Sequence, residues 1–256
     1  MTKENLVEKF YNKLSKSYEK SHSSRFVDKI FEYFLFKYIP GRKNLRILDV
    51  GGGIGRFSFP LVEKGYDVTL TDISEGMLNK AKQISKQLGL NLRFFKESVT
   101  NMKHQKSEYY DVVLVMNGVL DYCSNYKKAL KELHRVLKNK GRLIGTVNNR
   151  LIYGVVNILL EEKDINKFKK FYKKGNRFKK FPIHDFTLEE LKEALTSSEF
   201  KIIEILGPTN LLRKWECEKV VTKNNEKKFL KLQIEFAKRK ELLNNSTDFL
   251  FIAERL

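Results

Sequence analysis

The amino-acid sequence predicts an α/β fold in which a doubly wound, mostly parallel sheet carries helices on both faces. From Leu45 to about Val147, apolar segments of strand length alternate with amphipathic segments of helix length. Alternating β and α units are typical of a parallel sheet with right-handed crossovers. A glycine-rich turn directly after the first strand indicates a ligand site, because ligands of such sheets bind at the carboxyl ends of the strands.

Each element of this core follows from a local pattern. Strands are predicted where short apolar runs end at turn-forming or charged residues, and helices where apolar residues recur every three or four positions. The predicted strands are 45–50, 67–71, 91–96, 110–116 and 142–147, and the predicted helices are 56–64, 76–88 and 126–137.

Helices are predicted before the core, and a βα unit is predicted near the end of the chain. Leu6, Phe10 and Leu14 recur at helical spacing, and Pro40-Gly41 ends this first helical region. Further along, Thr187 and Glu190 have the spacing of a capping box at the start of a helix. The predicted C-terminal elements are a helix over 187–197, a strand over 200–206, a helix over 225–243 and a strand over 248–253.

The segment that follows the core is the most basic part of the chain. Between positions 167 and 180 there is no acidic residue, and aromatic residues are interleaved with Lys167, Lys169, Lys170, Lys173, Lys174, Arg177, Lys179 and Lys180. This pattern fits a helical insertion after the fifth strand that forms an amphipathic lid, with aromatic side chains covering a pocket and lysines facing water, and it also suits stacking on nucleic-acid bases. We favour the lid.

One domain over 1–256 is the organisation that this length and pattern predict. It consists of an N-terminal helical lid (1–40), a cofactor-binding core (45–149), a basic lid insertion (150–185) and C-terminal helices and strands (186–256).

Composition argues against several classes of protein. Hydrophobic residues make up 41% and charged residues 32% of the chain, which is globular composition. No apolar run reaches the length of a membrane span, and the cysteines and histidines lack metal-ligand spacing. We therefore expect a cytoplasmic protein without a secretory signal or a metal site. The net charge of +19 favours anionic partners without identifying one.

The glycine turn indicates the kind of cofactor. Gly51, Gly53 and Gly55 allow a tight turn and leave no side chain between a ligand and the next helix. A dinucleotide-binding turn has a third glycine where this chain has Arg56, which disfavours NAD. Asp49 suits a ligand with positive charge, such as the ammonium and sulfonium of S-adenosylmethionine. We therefore predict that S-adenosylmethionine is the cofactor.

Polar residues at the ends of the next three strands fit the same ligand. Asp72 ends the second strand, where an acid can accept hydrogen bonds from both ribose hydroxyls. Ile73 and Met77 are then placed to pack on the adenine, and Glu97-Ser98 after the third strand to contact the adenine edge. Asn117, at the end of the fourth strand, is predicted to meet the methionine part of the ligand. Their order on successive strand ends is the main support for this interpretation.

The core resembles the class I S-adenosylmethionine-dependent methyltransferases, in the broad group that contains the ubiquinone and menaquinone biosynthesis C-methyltransferases. The resemblance covers residues 45–147 and rests on the segments 48–55 (LDVGGGIG), 70–78 (LTDISEGML), 110–113 (YDVV) and 132–143 (ELHRVLKNKGRL). The chain departs from the group at Asn139-Lys140-Gly141, where Pro-Gly-Gly is usual, and at Glu97-Ser98, where many members have Asp-Ala.

This resemblance implies a Rossmann-like, seven-stranded, mostly parallel sheet whose last strand is antiparallel to the others. It also implies that Asp49 contacts the methionine amino end of the cofactor, that the three glycines approach the ligand, and that Asp72 holds the ribose. Tyr18-Glu19 resembles the Tyr-Asp pair in the N-terminal lid of many relatives, in which the tyrosine caps the cofactor. Tyr18 is therefore included among the predicted cofactor-binding residues.

The sequence does not identify the methyl acceptor. Methyl transfer depends mainly on positioning, and a base is needed only where the acceptor must lose a proton. Candidates for a base are His104, His184, Asp121, Tyr122 and Asp185, and none is assigned as catalytic.

We expect a small-molecule acceptor, with anionic molecules included. The segment 117–120 (NGVL) lacks the Asn-Pro-Pro-aromatic motif of the common exocyclic-amine base methyltransferases. One alternative is an RNA or protein methyltransferase that uses the 167–180 segment. Another is a non-catalytic regulator that binds the cofactor.

Overall fold

The computed structural model describes residues 2–17, 25–178 and 180–256, and its centre is a seven-stranded sheet. The strands are β1 (Arg46–Val50), β2 (Asp67–Asp72), β3 (Arg93–Lys96), β4 (Tyr110–Val115), β5 (Leu137–Asn148), β6 (Asn176–Phe178), β7 (Pro182–His184), β8 (Phe200–Leu206) and β9 (Asp248–Arg255). The order in the sheet is β3-β2-β1-β4-β5-β9-β8, and β6 and β7 form a separate hairpin.

Helices flank the sheet and cover its carboxyl edge. They are α1 (Lys3–Leu14), α2 (Arg25–Tyr38), α3 (Ser58–Glu63), α4 (Glu75–Leu88), α5 (Val119–Tyr122), α6 (Tyr126–Val136), α7 (Arg150–Gly154), α8 (Ile165–Lys174), α9 (Leu188–Thr196), α10 (Lys214–Val220) and α11 (Glu226–Phe236). A π-helix (Val155–Leu160) follows α7, and a 3-10 helix (Lys240–Asn245) precedes β9.

The sheet has the predicted direction of strands. β1 pairs in parallel with β2 and β4, and β2–β3 and β4–β5 are also parallel. β9 lies between β5 and β8 and is antiparallel to both. The prediction of a doubly wound, seven-stranded sheet with an antiparallel last strand is therefore confirmed.

Both faces of the sheet are buried, which explains the continuous apolar runs in the central strands. Successive side chains of a strand point to opposite faces. In β4, Val112 and Leu114 pack in the cluster that contains Phe34 of α2. Val113 and Val115 pack in the opposite cluster with Leu133 of α6. The two layers fix the strands from both sides, and with them the strand ends at the carboxyl edge of the sheet.

Several predicted boundaries differ from the structure. The helix predicted over 56–64 begins only at Ser58, because residues 51–57 are used by the glycine turn. The helix predicted over 225–243 is divided into α11 and the 3-10 helix. The insertion contains the β6–β7 hairpin as well as the predicted helices, and α10 was not predicted.

One of the two hydrogen bonds of the predicted capping box is present at the start of α9. Thr187 Oγ1 accepts a hydrogen bond from the backbone N–H of Glu190 at 3.1 Å, as predicted. The Glu190 side chain pairs instead with Arg150 and with His184 Nε2. It therefore ties α9 to α7 and to the hairpin. In the part of the chain that the structure describes, no helix has the length and apolar character needed to cross a membrane.

Candidate functional site

A cavity of about 920 Å³, open to solvent, lies at the carboxyl ends of β1, β2 and β4. Its floor is the glycine turn after β1, and α1 forms part of its wall. Eight of the predicted site residues line it, namely Asp49, Gly51, Gly53, Asp72, Ile73, Met77, Ser98 and Asn117. The strand ends thus bring together side chains that are far apart in the sequence.

The three glycines of the turn have different structural roles. Gly51, Gly53 and Gly55 have φ values of 66°, 58° and 90°, which side-chain-bearing residues rarely adopt. A Cβ on Gly53 would meet no atom within 4 Å, so its position faces open space. A Cβ on Gly55 would lie 2.6 Å from the Phe59 ring. Gly55 does not line the cavity, and it instead allows the turn to pack on α3.

Asp49 lies beneath this turn. Its side chain is 1% exposed, and Oδ2 accepts a hydrogen bond from Ser58 Oγ at 2.7 Å. A Cβ on Gly52 would approach the same oxygen to 2.7 Å, so Gly52 must lack a side chain, a requirement we did not predict. Burial, together with the nearby charge of Asp72, raises the pKa of Asp49 to about 7, although the Ser58 bond acts in the opposite direction.

Asp72 connects the glycine turn to α4. Its Oδ2 accepts from Gly53 N at 2.9 Å, and its Oδ1 accepts from Ser74 N at 2.7 Å. Burial raises the pKa of Asp72 to about 6, and the backbone hydrogen bonds limit the rise. These bonds fix the orientation of a carboxylate that lines the cavity. A carboxylate has about four lone-pair sites, so this group retains acceptor capacity for a ligand.

The Glu97 side chain does not reach the cavity. Its Oε1 accepts from the backbone N–H of His104 at 2.7 Å, and its Oε2 accepts from Gln105 Nε2 at 2.5 Å. Gln105 in turn accepts from Tyr110 OH at 2.6 Å. Glu97 therefore stabilises the loop after β3, and only its neighbour Ser98 lines the cavity. These bonds give the Glu97 side chain a structural role, and its predicted contact with a ligand stays a prediction.

The N-terminal helix α1 covers one side of the cavity. Glu4, Val7 and Tyr11 line it, and we did not predict any of them as site residues. Asn12 Oδ1 accepts from Ser74 Oγ at 2.8 Å and from Gly76 N at 2.9 Å, which fixes the far end of the helix to α4. The predicted site residue Tyr18 lies outside the described residues.

Aromatic rings of α1, α5 and the loop between β6 and β7 form an aromatic wall in which Tyr11 and Tyr122 line the cavity and Phe181 packs against both. Phe181, which directly precedes β7, lies 5.2 Å from Tyr122 and 6.4 Å from Tyr11, measured between ring centroids. Tyr122 packs over Gly118, where a Cβ would come within 2.8 Å of its ring. Such rings make an apolar wall that suits a planar ligand.

The candidate bases differ in their surroundings. His104 contacts Glu97, and His184 contacts Asn176 and Glu190. Asp185 is buried and pairs with Arg177. Asp121 is fully buried; its Oδ1 accepts from Asn148 N at 2.8 Å, and its Oδ2 has no partner among the described residues. Burial, with the charge of Asp185, raises the pKa of Asp121 well above its ordinary value. Of the five candidates, Tyr122 alone lines the cavity.

Comparison with known proteins gives one consistent family. The sequence model of a family described as a methyltransferase domain matches residues 47–141. An uncharacterized protein of Methanocaldococcus jannaschii is 31% identical over 200 residues, which cover 76% of this chain and 77% of that protein.

Two relatives with named activities match over shorter stretches. The ubiquinone biosynthesis O-methyltransferase of Rickettsia felis is 26% identical over 58% of this chain and 63% of its own length. The tRNA 5-carboxymethoxyuridine methyltransferase of Escherichia coli is 30% identical over 40% of each chain. In both cases this chain spans less than two thirds of the relative.

A solved structure from Methanosarcina mazei, described as an S-adenosylmethionine-dependent methyltransferase, has the same fold. Its TM-score is 0.62 at 21% identity, and the superposition covers 87% of this chain and 97% of that one. From the matched family, the relatives and the sheet order together, the chain belongs to the class I S-adenosylmethionine-dependent methyltransferases, and it is therefore a methyl-transferring enzyme with S-adenosylmethionine as its cofactor.

Proposed function

We propose that this enzyme methylates a small molecule, and that the cavity at the carboxyl ends of β1, β2 and β4 holds both the cofactor and the acceptor. The observation that carries this proposal is the pair of buried acids, Asp49 and Asp72, on either side of a glycine turn with open space at Gly53. This arrangement suits a ligand that has a cationic end and a ribose.

The cofactor end of the cavity is assigned from these contacts. Asp72 is oriented by Gly53 and Ser74, so its free lone pairs suit the two ribose hydroxyls. Ile73 and Met77 offer apolar surface to the adenine, and Ser98 lies at its edge. Gly55 and Glu97 support the turn and the loop without contacting the ligand.

The amino-acid end of the cofactor is assigned to the other end of the turn. Gly51 and Gly53 allow close approach of the backbone, and Asn117 lies beside them at the end of β4. Asp49 lines the cavity with its Oδ2 bound to Ser58, and a cationic ligand end favours the charged form of this acid and is attracted by it. When bound, the cofactor supplies an electrophilic methyl group on sulfur.

The acceptor end is assigned to the aromatic wall. Tyr11 and Tyr122 line the cavity and Phe181 packs against both rings, so a small ring-bearing molecule fits this wall better than a polymer. The ubiquinone biosynthesis relative acts within the synthesis of a small molecule, which agrees with this choice. The contribution of these residues to the reaction is to exclude water and to hold the acceptor in line with the methyl group.

RNA is the second candidate acceptor. Lys169, Lys170, Lys173 and Lys174 of α8 are exposed, and the tRNA methyltransferase relative acts on a nucleic acid. Binding through these lysines would weaken steeply with salt, because phosphate contacts release counterions. An acceptor that sits in the aromatic wall would show little dependence on salt. Methyl transfer to total RNA and to small phenols, each measured from 50 mM to 500 mM salt, separates the two.

The cofactor site is tested by calorimetric titration with S-adenosylhomocysteine. We expect Asp72→Ala to weaken binding by about 1–3 kcal/mol, because two hydrogen bonds to a charged acceptor are lost. Asp67→Ala, at the exposed start of the same strand, is the matched control. Equal affinities of the two variants would refute the placement of the ribose at Asp72.

A further inference from the structure

The adenine end of the cavity lacks the acid that the sequence placed there, because Glu97 is engaged with His104 and Gln105. A second carboxylate occupies this region. Glu4 of α1 lines the cavity and is hydrogen-bonded to Ser98, the first residue after Glu97. The acid at this end therefore comes from the helix that covers the site, not from the loop after β3.

One oxygen of Glu4 is fully used by the protein. Oε1 accepts from Ser98 Oγ at 2.9 Å, Thr100 Oγ1 at 2.6 Å and Ser124 Oγ at 2.9 Å. These donors belong to the loops after β3 and after α5, so they hold the carboxylate between two walls of the cavity. Over residues 2–17, 25–178 and 180–256, Oε2 accepts no hydrogen bond.

The protonation state of Glu4 suits a hydrogen-bond acceptor. Burial raises the pKa of Glu4, but the hydrogen bonds from Thr100, Ser98 and Ser124 and the charge of Lys128 outweigh it, so the pKa lies below the ordinary value. Glu4 is then a carboxylate at neutral pH, and a carboxylate can only accept hydrogen bonds. The edge of adenine presents one strong donor, the exocyclic amino group.

We propose that Glu4 Oε2 accepts a hydrogen bond from the adenine amino group of the cofactor, which makes the N-terminal helix a specificity element of the binding site. This inference rests on the cofactor placement proposed above.

The same helix is tied to the ribose end. Asp72 accepts from Ser74 N, Ser74 Oγ donates to Asn12, and Asn12 also accepts from Gly76 N. Thus α1 is joined to the ribose-binding acid through Asn12 at one end, and it contacts the adenine through Glu4 at the other. The position of α1 over the cavity and the recognition of adenosine therefore depend on each other.

The test compares two ligands that differ at this amino group and at the neighbouring ring nitrogen N1, which carries a hydrogen only in the inosyl ligand. S-inosylhomocysteine carries an oxo group where S-adenosylhomocysteine has the amino group, so a carboxylate opposite it meets an acceptor instead of a donor. We expect the purified full-length protein to prefer the adenosyl ligand by about tenfold or more in calorimetric Kd. In Glu4→Gln the side-chain amide can donate to the oxo group, so we expect the preference to fall to about twofold or less.

Glu8→Gln is the matched control, since Glu8 lies on the same helix, outside the cavity lining, and pairs with Lys96 at 2.7 Å. It should keep the wild-type ratio of the two Kd values. If Glu4→Gln weakens both ligands equally, Glu4 only anchors α1 and the inference is wrong. If the wild-type protein binds S-adenosylhomocysteine and Glu4→Gln keeps the full preference, the inference alone fails. If the wild-type protein binds neither ligand, both the proposed cofactor placement and this inference are wrong.

Discussion

The protonation of Asp49 gives a quantitative prediction for the ligand-free protein. Its pKa is raised from an ordinary 3.8 to about 7 by burial. Between these two values the folded protein holds a proton that the unfolded chain has lost. Stability from this group is therefore fully present below about pH 4 and is lost as the pH rises through about 7.

The size of the effect follows from the two pKa values. Each pKa unit corresponds to 1.36 kcal/mol, so the complete rise is about 4 kcal/mol, of which about 2–3 kcal/mol falls between pH 5 and pH 8. Asp49→Asn has nearly the same volume, and its amide oxygen can still accept from Ser58. We expect the variant to lack this pH dependence and to be more stable than the wild-type protein at pH 8.

Urea unfolding of the ligand-free protein at pH 5, 6, 7 and 8 measures this difference. The free energy of unfolding of Asp49→Asn, relative to wild type, should rise by about 2–3 kcal/mol from pH 5 to pH 8. Asp67→Asn, whose parent side chain is 45% exposed, should follow the wild-type curve. If the free energy of unfolding varied with pH in the same way for wild type and Asp49→Asn, burial would not raise the pKa of Asp49, and our account of its charge would be wrong.

Two further predictions concern glycines that allow close approach. Gly53→Val should abolish binding of S-adenosylhomocysteine, because the new side chain enters the open space of the cavity. The control is Gly65→Val, at an exposed position with φ of 84° and no atom within 4 Å of an added Cβ. This control has similar backbone strain and should bind the ligand normally. Normal calorimetric binding by the Gly53 variant would move the site elsewhere. Gly76→Ala should weaken the packing of α1 on α4, since the new Cβ would lie 2.6 Å from Ser15 Oγ and 3.2 Å from Asn12 Cα. The helix α4 itself should not be destabilised, because alanine has a higher helix propensity than glycine. Hydrogen exchange should then be faster for the amides of α1 and unchanged in α4; equal protection of α1 in both proteins would contradict this packing argument.

The sheet was predictable because its signals are local. Buried parallel strands are short apolar runs, and the glycine turn between β1 and α3 has its own composition. Asp72 could also be predicted, since its position at the end of β2 determines which edge of the sheet it faces. These features depend on neighbours within a few residues.

The rest of the site depends on contacts over long distances in the sequence. Glu97 and Ser98 are adjacent, but only Ser98 lines the cavity, because Gln105 and His104 bind the Glu97 side chain. Glu4 acquires its place from hydroxyls more than ninety residues away. The hairpin strands β6 and β7 have three residues each, which is too short for a recognisable period.

The position of β9 has a consequence for synthesis of the protein. β5 and β8 are not hydrogen-bonded to each other, and each needs β9 to complete its pairing. While residues 248–255 are still inside the ribosome, the emerging chain therefore displays an unpaired edge on β5 and leaves β8 unattached. Such edges are templates for association with other chains. The nascent protein is consequently most exposed to aggregation in the interval between the emergence of β8 and the emergence of β9, when the other strands of the sheet are already available.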